Sequence, residues 1–187
     1  MSIEQFNIID IEATCWRGRP PKNFSQEVIE IGIVTLDLRT LKIIKPKATS
    51  YVYNSQMRIS KFCEELTGIN KGTLKTNGSS LETTFQHLKD HFKVHKIPWG
   101  SWGNFDRQHL GRECHRKNIE YPFCRTHINL KHQFSMLKGV YYSCSVSTAL
   151  DLLNMSFEGT PHSGLDDAFN VARILANLLE QFRSNEK

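Results

Sequence analysis

A nearly unbroken apolar run at 6–12, Phe6-Asn7-Ile8-Ile9-Asp10-Ile11-Glu12, is short and β-branched, and it predicts a largely buried strand. A loop rich in Gly, Pro and basic residues follows at 17–22. A second strand is expected over 28–37 and a third, irregular one over 41–53. Ser60 opens a short helix that ends near Gly68, the serine offering a side-chain acceptor to the first free N–H groups. Leu81, Phe85, Leu88 and Phe92 recur at helical spacing, which predicts an amphipathic helix over 80–93 with Ser80 as its N-cap. Beyond it the pattern predicts a short strand over 98–102, a helix over 106–117 and a mostly helical stretch over 129–153 interrupted near Gly139. A long helix over 164–182 closes the chain. Three strands in succession, then alternating helix and strand, predict a mixed sheet flanked by helices. No repeat, low-complexity tract or long linker divides the sequence. Residues 1–187 are therefore expected to form one domain, of a size that buries ~70% of its unfolded surface.

Several acidic residues interrupt this pattern. Asp10 and Glu12 are two apart on the first strand, so both side chains leave it on the same face. Carboxylates on a buried strand are costly to ionise unless something neutralises them. A divalent cation such as Mg²⁺ or Mn²⁺ favours such oxygens; a strand end emerging into water is the plainer alternative. In the closing helix, periodicity separates two adjacent aspartates. Asp166 shares a polar stripe with Asn170, Arg173, Asn177 and Glu180 or Gln181, and is expected to face water. Asp167 shares its face with Val171, Ile174 and Leu178, and is expected to face the sheet. The helix dipole would offset only ~0.3–1 kcal/mol of that burial.

His162 lies five residues ahead of Asp167, where a neutral imidazole could take the proton of an attacking water. Asp106 stands at a strand-to-helix junction, with Leu110 marking the inward face; an N-cap is its simpler role. Glu30, inside the second strand, reads as structural, hydrogen-bonded beside such a site rather than ligating. His87, His91 and His95 have the spacing of a helical metal site. The apolar face of the same helix turns His87 and His91 outward, so no site is expected there.

Composition narrows compartment and partner. The chain is 39% hydrophobic and 23% charged, and no apolar run approaches the ~20 residues that span a bilayer. Its first residues lack the basic-then-apolar order of a secretory signal. Five cysteines (Cys15, Cys63, Cys114, Cys124, Cys144) are scattered without a C-x-x-C pair. Reduced thiols in a soluble cytoplasmic protein are expected. The net charge of +5, from 24 basic and 19 acidic residues, points weakly to a polyanionic partner. It points more strongly if four carboxylates are committed to metal ions.

Asp10-Ile11-Glu12-Ala13-Thr14, Asn104-Phe105-Asp106 and His162-x-x-x-x-Asp167, in this order, resemble the three motifs of the DEDDh branch of the DEDD exonuclease superfamily over nearly the whole chain. Cys15 after the first motif, Ser60-Lys61-Phe62-Cys63 before Leu66-Thr67-Gly68-Ile69, and Pro161-His162-Ser163-Gly164-Leu165-Asp166-Asp167 are similar to the ERI-type exoribonucleases, the family of the histone-mRNA 3′ exonuclease. The resemblance implies an α/β, RNase H-like fold, with a central mixed five-stranded sheet flanked by helices on both faces. It implies a 3′-to-5′ exoribonuclease with two divalent cations, Mg²⁺ or Mn²⁺, that releases nucleoside 5′-monophosphates from single-stranded RNA 3′ ends. In that scheme Asp10, Glu12, Asp106 and Asp167 hold the metals and His162 is the general base. Ala13 and Thr14 meet the 3′-hydroxyl through their backbone, Leu66 acts as a wedge, and Phe62 and Phe105 contact bases. Arg17 and Arg19, or Lys131 and Lys138, are candidates to track the phosphates. The first strand starts close to Met1, so no stem-loop-binding domain is expected ahead of it.

Two other readings stay open. One is a DNA-directed 3′-to-5′ exonuclease of the proofreading or repair kind on the same fold. The other is a non-catalytic RNA-binding domain, against which the retention of all five motif residues speaks. The polar face of the closing helix is expected to stay out of any dimer interface; oligomeric state is otherwise unspecified by these residues.

Overall fold

The computed structural model describes residues 3–44, 48–54, 56–141 and 144–184. Strands β1 (Gln5–Ala13), β2 (Val28–Asp37), β3 (Ala48–Tyr51), β4 (Trp99–Ser101) and β5 (His127–Asn129) form one sheet in the order β3-β2-β1-β4-β5. β1 pairs antiparallel with β2, as β2 does with β3, whereas β1–β4 and β4–β5 are parallel. The sheet is therefore mixed, as expected. β1 and β2 lie at its centre and are covered on both faces, which is why their sequences are continuously apolar rather than alternating. Ile8, Ile9, Ile29, Ile31, Ile33 and Val34 are all buried.

The helices are α1 (Lys61–Thr67), α2 (Lys71–Asn77), α3 (Leu81–Phe92), α4 (Phe105–Lys117), α5 (Leu130–Lys138), α6 (Val146–Leu152) and α7 (Gly164–Ser184). On one face Ile9, Ile11, Ile31 and Ile33 pack with Phe85 and Leu88 of α3 and Leu110 of α4. On the other, Phe6, Ile8, Val34 and Leu36 pack with Ala168, Val171 and Ala172 of α7. Helices thus cover both faces. No described helix is long and apolar enough to cross a membrane, and all five cysteines are free thiols.

The predicted caps hold. The Ser60 side chain accepts from the Cys63 N–H, Gly68 closes α1 at φ 71°, and Ser80 accepts from the Thr83 N–H. The third strand is shorter than expected. Asp37 Oδ1 accepts from the N–H groups of Arg39 and Thr40, closing a turn, and Ile43 makes only an isolated bridge to Leu36. Residues 45–47 of that expected strand lie outside the described residues. The stretch 129–153 resolves into α5, closed by Gly139 at φ 66°, and α6; residues 142–143 between them lie outside the described residues. Neither β5 nor α2 has a pattern in the sequence. β5 is three residues without a buried one, and α2 buries Leu74 alone.

Candidate active site

Asp10 and Glu12 share the parity of Phe6 and Ile8, so they leave β1 on the α7 side of the sheet. Opposite them on β2 stand Gly32 and Glu30. Gly32 lets α7 approach: a Cβ there would lie 2.1 Å from the backbone of Gly164. Glu30 fixes the same point, its Oε2 accepting from the Gly164 N–H at 3.0 Å. It thereby satisfies one of the free N–H groups of the first helical turn. The first turn of α7 is thus docked on the sheet, and Asp167 faces Asp10 and Glu12. One oxygen from each of these three residues lies within 4.8 Å of the others. Asp167 Oδ2 also accepts from the His162 N–H at 2.8 Å, which holds the exposed His162, at φ 64°, beside the carboxylates.

Asp106 does not act as an N-cap. α4 begins one residue earlier, after Asn104, and the buried Asp106 side chain reaches the sheet, where Oδ1 accepts from the Ile11 N–H at 3.1 Å. It thus binds the residue between Asp10 and Glu12. It lies outside the group of three oxygens, yet it is the neighbour whose charge raises Asp10 most.

These carboxyls push one another's protons on. Asp10 is raised well above the ordinary aspartate value, by burial first and then by the charges of Asp106, Asp167, Glu12 and Glu30. Glu12 is pushed up to about 8, by burial and then by Asp167, Glu30 and Asp106. Asp167 is raised by burial, against the lowering pull of His162. Asp106 is raised by burial against several hydrogen bonds, among them those of Ser101 and Ile11. Among the described residues no lysine or arginine pairs with any of them. A cluster of acids that the protein's own cations do not neutralise suits a bound divalent ion, whose charge would reverse each of these shifts.

The residues expected to contact nucleotide stand on α1, at the start of α4 and at the end of β1. Phe62 is half-buried on α1 beneath the Arg17 guanidinium, 5.2 Å from its ring centroid, and Leu66 is half-buried one turn on. Phe105 is 47% exposed and stacks on His109 at 5.3 Å, so it is not part of the core. Ala13 and Thr14 are buried at the end of β1, where the Thr14 N–H donates to Glu27 O at 2.9 Å. That N–H is committed to the sheet. Lys138 instead bonds Gln181 at 2.8 Å, fourteen residues or ~21 Å along α7 from Asp167, and is remote from the carboxylates.

The outer stripe of α7 departs from expectation. Asp166 is half-buried and Asn170 fully buried, because they grip the preceding loop rather than face water. Asp166 Oδ2 accepts from the Thr160 N–H, and Asn170 accepts from the Glu158 N–H while donating to its carbonyl. Arg173 donates to the Ser156 carbonyl and pairs with Glu158 at 2.9 Å. These three residues hold the segment that leads into His162. Periodicity reveals a polar face, but not that a loop's backbone covers it. The stripe's first half therefore also says nothing about a dimer. His87 and His91 are exposed and stack at 4.2 Å; the carboxylate trio is the one candidate metal group among the described residues.

Comparison with known proteins fits this geometry. The sequence profile of a family described as exonuclease matches residues 8–175. The Homo sapiens protein 3′-5′ exoribonuclease 1 is 33% identical over 196 residues, spanning 96% of this chain and 54% of that one. The Drosophila melanogaster 3′-5′ exonuclease Snipper is 28% identical over 198 residues, spanning 91% and 68%. The chain thus spans about half the length of its human relative. Among solved structures, the nuclease domain of 3′hExo, a DEDDh family member bound to rAMP, superposes with a TM-score of 0.86 at 30% identity, over 96% of this chain and 93% of that one.

Proposed function

Because the chain belongs to this exonuclease family, we propose that it is a metal-dependent 3′-to-5′ exoribonuclease releasing nucleoside 5′-monophosphates from single-stranded RNA 3′ ends. The observation that carries the proposal is the trio Asp10, Glu12 and Asp167, with one oxygen from each within 4.8 Å of the others and no lysine or arginine paired with it among the described residues. RNA as substrate is supported by the human relative's name and by the rAMP bound in the related nuclease domain.

Asp10, Glu12 and Asp167 would hold the divalent cations, Mg²⁺ or Mn²⁺, with Asp106 supporting the second ion. Two such ions, when bound, supply Lewis acidity at the scissile phosphate and offset the charge on the attacking and leaving oxygens. His162 takes the proton of the attacking water. Its side chain is exposed and its backbone is tied to Asp167, so it can move toward a substrate without leaving the carboxylates. Phe62, Leu66 and Phe105 present apolar surface to the terminal bases, and stacking of this kind contributes ~1–3 kcal/mol per base without reading sequence. Ala13 and Thr14 place the backbone at the end of β1 beside the terminal ribose.

The test is incubation with 3′-labelled single-stranded RNA, and with DNA of the same sequence, in Mg²⁺ or Mn²⁺ and in chelator. Cation-dependent release of labelled 5′-mononucleotide from RNA is expected. Binding without cleavage would leave only the RNA-binding reading, and faster loss of label from DNA would move the substrate to DNA.

A further inference from the structure

We propose that the outer face of α4 is a second nucleic-acid site, a track for the phosphates of the same RNA strand upstream of its 3′-terminal bond. The proposal rests on the exonuclease reading above and extends its substrate from a terminal nucleotide to a strand of some length.

The two faces of α4 are sharply divided. Asp106, His109, Leu110, Glu113 and Cys114 are buried against the sheet. On the opposite side Asn104, Arg107, Gln108, Gly111, Arg112 and His115 line a groove of about 600 Å³. The only acids of the helix, Asp106 and Glu113, are both turned inward. The groove is therefore cationic and polar, without a carboxylate in its lining.

Three features set this face apart from an ordinary solvated one. First, the cations nearer the helix end are already engaged. Arg116 and Lys117 contact Glu113 at 3.8 and 2.9 Å, and Lys117 also contacts Glu27. Arg107 and Arg112 form no ion pair among the described residues. Second, Arg107 sits in the first turn, where the helix dipole disfavours a cation; the dipole would favour one only in the last turn. Third, Gly111 lies in the middle of the helix, where glycine costs ~1 kcal/mol relative to alanine. Its φ is ordinary, and an added Cβ would meet nothing within 4 Å. Neither backbone conformation nor packing within the protein calls for glycine here. A bare helix surface between two arginines does allow another chain to come close.

The track also starts at the right place. Asn104, at one end of the groove, lies two residues before Asp106, whose Oδ1 accepts from the Ile11 N–H between Asp10 and Glu12, and His115 lies nine residues or ~14 Å beyond Asp106 along the axis. Arg107 and Arg112 are five residues or ~7.5 Å apart along the axis, a separation that suits planar guanidinium groups on successive phosphates, each able to accept two hydrogen bonds. Between Asn104 and Asp106 in the chain stands Phe105, whose exposed ring offers a base a stacking surface at that end of the groove.

The consequence is a length advantage: kcat/KM should be higher for a strand long enough to cover the groove than for a trinucleotide. The experiment compares a 3′-labelled trinucleotide with an RNA of about twelve nucleotides, within the ~4–16 that single-strand grooves hold. Wild type is set beside Arg107→Ala/Arg112→Ala and Gly111→Leu. The ratio of kcat/KM for long over short substrate should fall about tenfold in the double variant, and its salt dependence should flatten by ~0.7 for each phosphate no longer neutralised. Gly111→Leu, whose Cβ would meet nothing within 4 Å, should lower the ratio too. A ratio equal to that of wild type in both variants overturns the track, whatever the absolute rates. If wild type cleaves neither substrate, it is the exonuclease reading that fails. The track then stands or falls with the affinity of the longer RNA measured by fluorescence anisotropy, which must drop in the double variant.

Discussion

Two buried acidic regions lie on opposite faces of one sheet, and they are solved in opposite ways. Glu113 on α4 is 1% exposed, and the protein supplies it with a donor and with countercharges of its own. The Val28 N–H donates to it at 2.8 Å, and Lys117, His109 and Arg116 contact it at 2.9, 3.4 and 3.8 Å. Burial pushes this carboxyl up, yet His109, Lys117 and Val28 bring it below the ordinary glutamate value. Asp10 and Glu12 have carboxylates for neighbours instead, and both are raised. Burial of an acid is therefore no mark of function. A buried acid for which the fold supplies no countercharge is, because the missing charge must come from elsewhere.

The largest expected effect comes from removing one charge of the unneutralised cluster. Asp10→Asn should lower turnover by more than the ~10–100-fold that loss of a supporting partner costs a metal site. In chelator the same variant should melt at a higher temperature than wild type, since it relieves repulsion. A lower melting point would break the contrast. Glu113→Gln should do the reverse, destabilising by about 3 kcal/mol because Lys117 and His109 lose their partner. Denaturant unfolding measures this, with turnover per folded molecule falling far less than in Asp10→Asn.

The contrast also predicts a pH dependence. Glu12 ionises near its ordinary 4.5 in the unfolded chain and at about 8 when folded, so between those values the folded state binds more protons. Its contribution to stability is complete below pH ~4.5 and is lost as pH rises to ~8. Melting temperature in chelator should therefore fall across that window, and excess Mg²⁺ or Mn²⁺ should flatten the decline. A flat profile in chelator would show that the cluster is not strained. The smallest effect is expected at the loop. Asn170→Ala frees the Glu158 backbone and should reduce kcat by several-fold, on the order of the ~10-fold lower bound for supporting residues. KM should change little.

Much of this is legible in the amino-acid sequence alone. The continuous apolar runs of β1 and β2 mark strands covered on both sides, and Ser60, Gly68 and Ser80 mark helix ends by capping chemistry. The 3.6-residue period turns Asp167 toward the sheet, and the inference for Glu30 matches its bond to Gly164. The same period misjudges Asp166 and Asn170, since a polar face that binds loop backbone has the same pattern as one that binds water. Asp106 at a helix start looks like a cap because its true acceptor role, toward the Ile11 N–H, spans 95 residues. Glu113 escapes notice altogether, although its place among Leu110 and Cys114 on the inward face of α4 is a usable signal. β5 and α2 are invisible because packing from the rest of the fold, not their own sequences, holds them.

The most direct measurement of the central claim is a calorimetric titration of Mn²⁺ or Mg²⁺ into the chelator-treated full chain at pH 7, beside Asp10→Asn. Saturable binding is expected for wild type, with about one proton or more released per site as Glu12 ionises, and loss of that binding in the variant. No binding, or identical isotherms for the two proteins, would contradict a metal centre at Asp10, Glu12 and Asp167.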